Sequence, residues 1–301
     1  MSRNDPLVFG VDFTSAPSRR KPITVAVGRL VAGRRSARYV VEEIRPLESL
    51  DAFAAFIRTE GPWIGGFDLP FSQPRPLIEH EGWPTDWPAF VEFYCRQPRD
   101  RLRRTFRRWC DARPSGDKFA WRKTDKPAGS SPAMRWANPP VAWMMHAGIG
   151  RMLAAGLVFP AHDHPRHSRG RSRLGRSARV AFEAYPGFTA RQVTRLSYKS
   201  DTVAKQTADR RERRRAILRA LETGDAGLAV LAEIPAACRR RIVADGAGDL
   251  LDAVICGLQA GHAWSAPRLG LPADLDPLEG WIAAVPWSRG GRPTPGVTSR
   301  P

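Results

Sequence analysis

Leu7 to Phe13 is an almost unbroken apolar run that carries one carboxylate, Asp12, next to its end. Such a segment predicts a strand buried on both faces that delivers a single polar side chain where it leaves the core, as in the sheets of α/β proteins. Thr14 to Pro22 reads as a loop. The β-branched segments Ile23 to Val31 and Ala37 to Ile44 flank Gly33-Arg34-Arg35-Ser36 and predict a hairpin, so the first three strands form an antiparallel meander. Leu50, Phe53, Ala54 and Ile57 then follow at the spacing of an amphipathic helix, which Gly61-Pro62 stops. Trp63 to Leu69 predicts a fourth strand, reached through that helix as a crossover.

From about Gln73 to Gly175 the sequence turns to Pro, Trp and Arg with few periodic elements, and reads as an insertion or subdomain. Within it Val141 to Leu157 predicts a helix packed on the core, and His162 to Arg179 an arginine-rich loop. Arg179 to Tyr185 resumes sheet character. A basic helix is expected from Thr207 to Leu221, a shorter one over Ala226 to Ile234, a strong one over Gly248 to His262, and a closing strand over Glu279 to Trp287. The expectation is one α/β domain over residues 1–290, with the insertion at about 73–175 and a disordered tail at 291–301. Its sheet is mixed, antiparallel in the first three strands and parallel thereafter, with helices flanking it.

Four acids stand out against this framework. Asp12 and Asp68 end the first and fourth strands, which can lie side by side. Asp249 and Asp252 are three apart on the last strong helix, so both share one face while Leu250, Leu251, Val254, Ile255 and Leu258 are free to face the core. Carboxylates gathered this closely repel and take up protons unless a cation compensates them. Mg²⁺ or Mn²⁺ suits such oxygen donors, and two ions about 4 Å apart can activate water and stabilise the leaving oxygen of a phosphodiester. Each acid also has a local reading: Asp12 or Asp68 as a turn former, Asp249 as a helix cap. Asp252 resists one, because it interrupts an apolar helical stretch where an unpaired carboxylate is costly.

The chain carries a formal charge of +18, far beyond what solubility requires, and this favours a polyanionic partner, with nucleic acid, DNA or RNA, ahead of a membrane surface. No signal peptide or membrane span is visible. Cys95, Cys110, Cys238 and Cys256 have no paired spacing, which suits a reducing cytoplasm. Arg103, Arg104, Arg107 and Arg108, interleaved with Phe106 and Trp109, form one candidate phosphate rail, and Arg211 and Arg214 belong to another. Either cluster can equally be a solvated helix face with core aromatics. His162, His164 and His167 with Asp163 match no standard zinc pattern and are read as a basic loop.

Five segments, in order, resemble the domain-of-unknown-function 429 family, a group of predicted nucleases of the RNase H-like superfamily. They are Gly10-Val11-Asp12, Gly66-Phe67-Asp68-Leu69-Pro70, Phe182-Glu183-Ala184-Tyr185-Pro186, Asp249-Leu250-Leu251-Asp252-Ala253 and Glu279-Gly280-Trp281-Ile282. The resemblance implies an RNase H-like sheet, a carboxylate site built from Asp12, Asp68, Asp249 and Asp252, and Glu183 as a further polar position, either ligand or structural. It also implies cleavage of a nucleic-acid backbone. Many family members carry another acid directly before the helix motif; here that position is Gly248. Two other functions remain open. An actin-like or sugar-kinase-type phosphotransferase needs glycine-rich phosphate loops, which are absent, and a non-catalytic nucleic-acid binder would share the charge.

Overall fold

A computed structural model describes residues 6–163 and 178–287. His164, His167 and the rest of 164–177, and the tail at 291–301, lie outside the described residues. The hairpin segments form β1 (Leu7–Asp12), β2 (Ile23–Val31) and β3 (Ala37–Leu47), joined antiparallel. Helix α1 (Leu50–Phe56) is capped by the Ser49 hydroxyl, which accepts from the Ala52 amide at 3.0 Å, and leads to β4 (Trp63–Asp68). Strand β4 lies parallel to β1, and β5 (Arg179–Glu183) lies parallel to β4. With β6 (Val230–Glu233) the six strands run β5-β4-β1-β2-β3-β6, which makes β1 a central strand and explains its apolar run.

Alternation along β1 and β4 sorts their side chains between two cores. Phe9, Val11, Phe13, Trp63, Phe67 and Leu69 belong to one, while Val8 and Ile64 belong to the other. The first core is filled from the stretch expected to lack periodic structure. That stretch is largely helical: α2 (Arg75–His80), α3 (Trp87–Arg96), α4 (Arg99–Asp111), the single turn α5 (Asp125–Ala128) and α6 (Val141–Ala154), the last being the helix expected over Val141 to Leu157. Aromatic side chains and prolines mask the helical spacing. Their buried members Phe90, Tyr94, Leu102, Phe106, Trp109 and Met145 join one continuous cluster with the sheet, so the insertion shares the core of the sheet.

On the opposite face lie α7 (Pro186–Val193), α8 (Ala208–Thr223), α9 (Ala236–Ala244) and the long α10 (Asp249–Ser265). Residues Ala226 to Ile234 are not a helix. They contain β6 (Val230–Glu233), which pairs parallel with β3. Ala226, Leu228, Val230, Ala232 and Ile234 are all buried, a period of two that the intervening Ala229 and Leu231 hide from a reading of hydrophobicity. Nor do Glu279 to Trp287 close the sheet. Positive φ at Gly280 (72°) and Ala284 (66°) breaks the extended course, leaving turns that bury Trp281, Ile282 and Val285 in a small separate cluster.

Helix α10 packs over β1, β2 and β4 at unusually close range, and glycine makes this possible. Gly10 and Gly66 are register partners on β1 and β4. A Cβ at Gly10 would stand 1.9 Å from the Ala253 carbonyl oxygen, and one at Gly66 2.1 Å from that of Cys256. Two residues beyond each glycine, on the same face, come Asp12 and Asp68.

Candidate active site

Asp12 and Asp68 are themselves register partners, so the parallel pairing of β1 and β4 sets the two carboxylates side by side on the α10 face, at about the 4.8 Å strand spacing. The glycine seats then determine what the helix presents to them. Asp252 lies in the first turn of α10 with no exposed surface, and Asp249, the first residue of the helix, lies at the rim. Asp12, Asp68 and Asp249 line a cleft of about 750 Å³, together with Lys21, Arg191, Arg195 and Lys199.

The first turn of α10 is capped by another residue. Asp245 accepts from the Ala247 amide at 3.1 Å and the Leu250 amide at 2.9 Å, which leaves the Asp249 carboxylate 3.5 Å from the Lys21 ammonium. The capping reading of Asp249 therefore does not apply. Asp252 is fully engaged: one carboxylate oxygen accepts from the Tyr198 hydroxyl and the other from the Lys199 ammonium. This resolves the cost of a buried acid in an apolar helix.

The electrostatics are those of crowded carboxylates. Burial, with Asp252 adding to it, raises the Asp12 carboxyl well above its ordinary range, although Lys199 opposes the shift. Asp68 is pushed up to about 7, first by burial and then by Asp252 and Glu183 against Lys199. Asp249 is raised by burial, against the pull of Lys21. Burial works against the Lys199 charge, but Asp252, Tyr198 and Asp12 outweigh it and hold the ammonium above its usual range. Three acids held above their ordinary range, with Lys199 and Lys21 both held charged, describe a site short of positive charge.

The donor chemistry suits a hard divalent cation. Among the described residues, however, no group of three or more His, Cys, Asp or Glu stands at ligand spacing. Of the expected donors, Asp252 has both oxygens committed to Tyr198 and Lys199. Lys199 and Tyr198 were not singled out in the sequence because Leu196 to Thr202 has no regular period. One signal was present: the chain has only six lysines among its 48 basic residues, and two of the six, Lys21 and Lys199, face this cleft.

Glu183 also lines the cleft, but as half of a structural pair. Arg122 grips it with two bonds of 2.7 and 2.6 Å and also holds Asp125, while the Phe71 amide donates to Glu183 at 3.0 Å. The Arg122 and Glu183 side chains are almost wholly buried, so this bidentate pair ties the α5 turn to the end of β5. The role it takes is that of the hydrogen-bonded structural acid.

The basic clusters divide. Arg104, Arg107 and Arg108 are exposed on α4 and Arg103 is half-buried, but among the described residues none of them lines the cleft. Arg103 pairs with Asp100 and Arg108 with Glu81, and the interleaved Phe106 and Trp109 are core. Arg211 is exposed on α8. Arg214, expected on a phosphate rail, is only 3% exposed and donates to the carbonyls of Tyr198 (2.7 Å) and Val243 (3.0 Å). It occupies the apolar stripe of α8, at the i−3, i−4 and i−7 positions of buried Ile217, Leu218 and Leu221, a spacing visible in the sequence. His162 lies in a turn but is buried: it stacks on Trp87 at 4.1 Å between ring centres, and burial drives its pKa down to about 3.

The described residues contain no helix long and apolar enough to cross a membrane. No family model, curated protein or solved structure matches the chain.

Proposed function

We propose that this chain is a divalent-metal-dependent nuclease with an RNase H-like fold, hydrolysing phosphodiester bonds of DNA or RNA. The observation that carries the reading is the convergence of Asp12, Asp68 and Asp249, with raised carboxyl pKa values, on one cleft backed by the buried Asp252, in a chain of charge +18. The strand order, with an antiparallel meander followed by parallel strands and a helix bearing paired acids, supports the RNase H-like assignment.

Asp12, Asp68 and Asp249 would hold Mg²⁺ or Mn²⁺, with Asp252 behind them. The ion would supply an activated water and charge stabilisation for the leaving oxygen. Arg195, exposed at the cleft edge, and Lys21 provide positive charge for the phosphates that flank the scissile bond. Four free cysteines accord with a reducing, cytoplasmic setting.

Incubating the purified chain with mixed single- and double-stranded DNA and RNA tests the reading. Cleavage is expected with Mn²⁺, is expected to stop in EDTA, and is expected to be lost in Asp252→Asn. Cleavage by that variant at the wild-type rate would sink the proposed site. The engagement of Asp252 by Lys199 and Tyr198 favours one competing reading, a nucleic-acid binder without catalysis. Salt-sensitive binding with no uptake of Mn²⁺ would select it.

A further inference from the structure

We propose that Lys199 is the resident cation of the carboxylate site, holding the place of a second metal ion, so that the chain takes up one divalent cation and not two. The inference rests on the metal-site reading above and specifies the loading of that site.

Charge is the first ground. Asp12, Asp68, Asp249 and Asp252 face two ammoniums, Lys199 and Lys21, the latter shared with the solvent-exposed Asp201. Four carboxylates beside two ammoniums leave two negative charges, which one divalent ion neutralises. A second ion would make the site positive, and it would also have to displace the Lys199 ammonium from Asp252.

Lys199 is also fixed in place. The Arg214 guanidinium, buried under α8, donates to the Tyr198 carbonyl at 2.7 Å, and Arg213 donates to that of Ser197 at 2.8 Å. The Ser197 hydroxyl donates to the Lys199 carbonyl at 2.9 Å, and the Ser200 amide donates to the Gly246 carbonyl at 3.0 Å. The irregular segment is thereby tied to α8 on one side and to the lead-in of α10 on the other. The neighbouring Tyr198 hydroxyl takes the second oxygen of Asp252, so this acid is oriented toward the lysine from both ends.

Room has been left for the lysine as well. Gly248, directly before α10, has φ of +83°, and a Cβ there would stand 2.7 Å from Cβ and 3.0 Å from Cδ of Lys199. Any side chain at position 248 would therefore contest the space of the Lys199 stem. The residue type agrees: an ammonium is a compact point charge able to stand where an ion would, whereas a guanidinium is a broad planar fork. In a chain so rich in arginine, a lysine occupies this position.

The test counts ions without reference to cleavage. The full chain is stripped of metal and titrated with MnCl₂ at pH 7.5, with free Mn²⁺ followed by electron paramagnetic resonance. Wild type is expected to bind one Mn²⁺ per chain and Lys199→Met two, with melting curves showing that each is folded. The wild-type count is decisive even if Lys199→Met does not fold. Two ions in wild type, or one in a folded Lys199→Met, overturns the inference. No ion in wild type overturns it together with the metal-site reading. One ion in wild type and two in Lys199→Met, without cleavage of any nucleic acid, upholds the role of Lys199 and overturns the nuclease reading alone.

Discussion

Asp68→Asn should stabilise the metal-free protein at alkaline pH, although it removes a residue of the site. Asp68 titrates at about 7 in the folded chain, against 3.8 for a free aspartate. The folded state therefore keeps a proton that the unfolded state releases. Stability falls as pH rises from about 4 to about 7, and the full cost is present above that window. A shift of some three pH units corresponds to an upper limit of about 4 kcal/mol. Asp68 is only half-buried at the floor of an open cleft, where water screens its neighbours, so about 1–2 kcal/mol is the realistic cost. Asparagine has the shape of the protonated acid and avoids this cost. For a chain of this size the gain corresponds to a rise in Tm of roughly 2–4 °C at pH 8 in EDTA, shrinking toward zero as pH approaches 4. Calorimetric melts of both proteins across that range measure it. Adding Mn²⁺ at pH 8 should raise the Tm of wild type more than that of the variant. A variant that melts below wild type at pH 8 in EDTA, or a difference that does not depend on pH, would refute the reasoning.

Other consequences follow from named contacts. Arg122→Met leaves Glu183 and Asp125 buried without their cation, and chemical denaturation should show a loss of about 3–5 kcal/mol. Gly66→Ala drives a methyl group into the backbone of α10 at Cys256, and should cost about 3 kcal/mol together with a weakening of Mn²⁺ binding as the helix lifts from Asp12 and Asp68. Arg195→Ala, at the cleft, should weaken nucleic-acid binding and reduce its dependence on log salt by about one. Arg107→Ala on α4 should leave cleavage at saturating substrate unchanged, since that side chain does not line the cleft.

The parts of the site that were legible in the sequence are those carried by regular elements. Asp12 and Asp68 stand at the ends of apolar strands, and Asp252 interrupts an apolar helix, so each shows as a polar break in a period. What escaped lies in segments whose side chains are organised by distant partners. Lys199 and Tyr198 sit on irregular backbone that is held by Arg214 and Arg213 of α8. The role of Glu183 depends on Arg122, 61 positions away in the chain. The strands were readable through β5, but β6 was hidden because alanine and leucine beside its buried positions made an alternating strand look continuous. The insertion was the hardest part. Two of its helices, α2 and α3, are short and begin at prolines, so they join a core shared with the sheet without showing an amphipathic stripe of ordinary length.

The most direct measurement is the single-turnover rate of phosphodiester cleavage by wild type and Asp12→Asn, in Mg²⁺ or Mn²⁺ and in EDTA. Loss of a residue that merely supports a metal ligand typically costs ten- to a hundredfold, so loss of Asp12 itself should cost more than about a hundredfold. The variant should melt no lower than wild type, because it removes a carboxyl raised by burial and crowding. A metal-dependent rate in wild type that collapses in a well-folded Asp12→Asn is the predicted result. Cleavage that persists in EDTA, or an Asp12→Asn rate within a few-fold of wild type, would contradict a catalytic role for the carboxylate cleft.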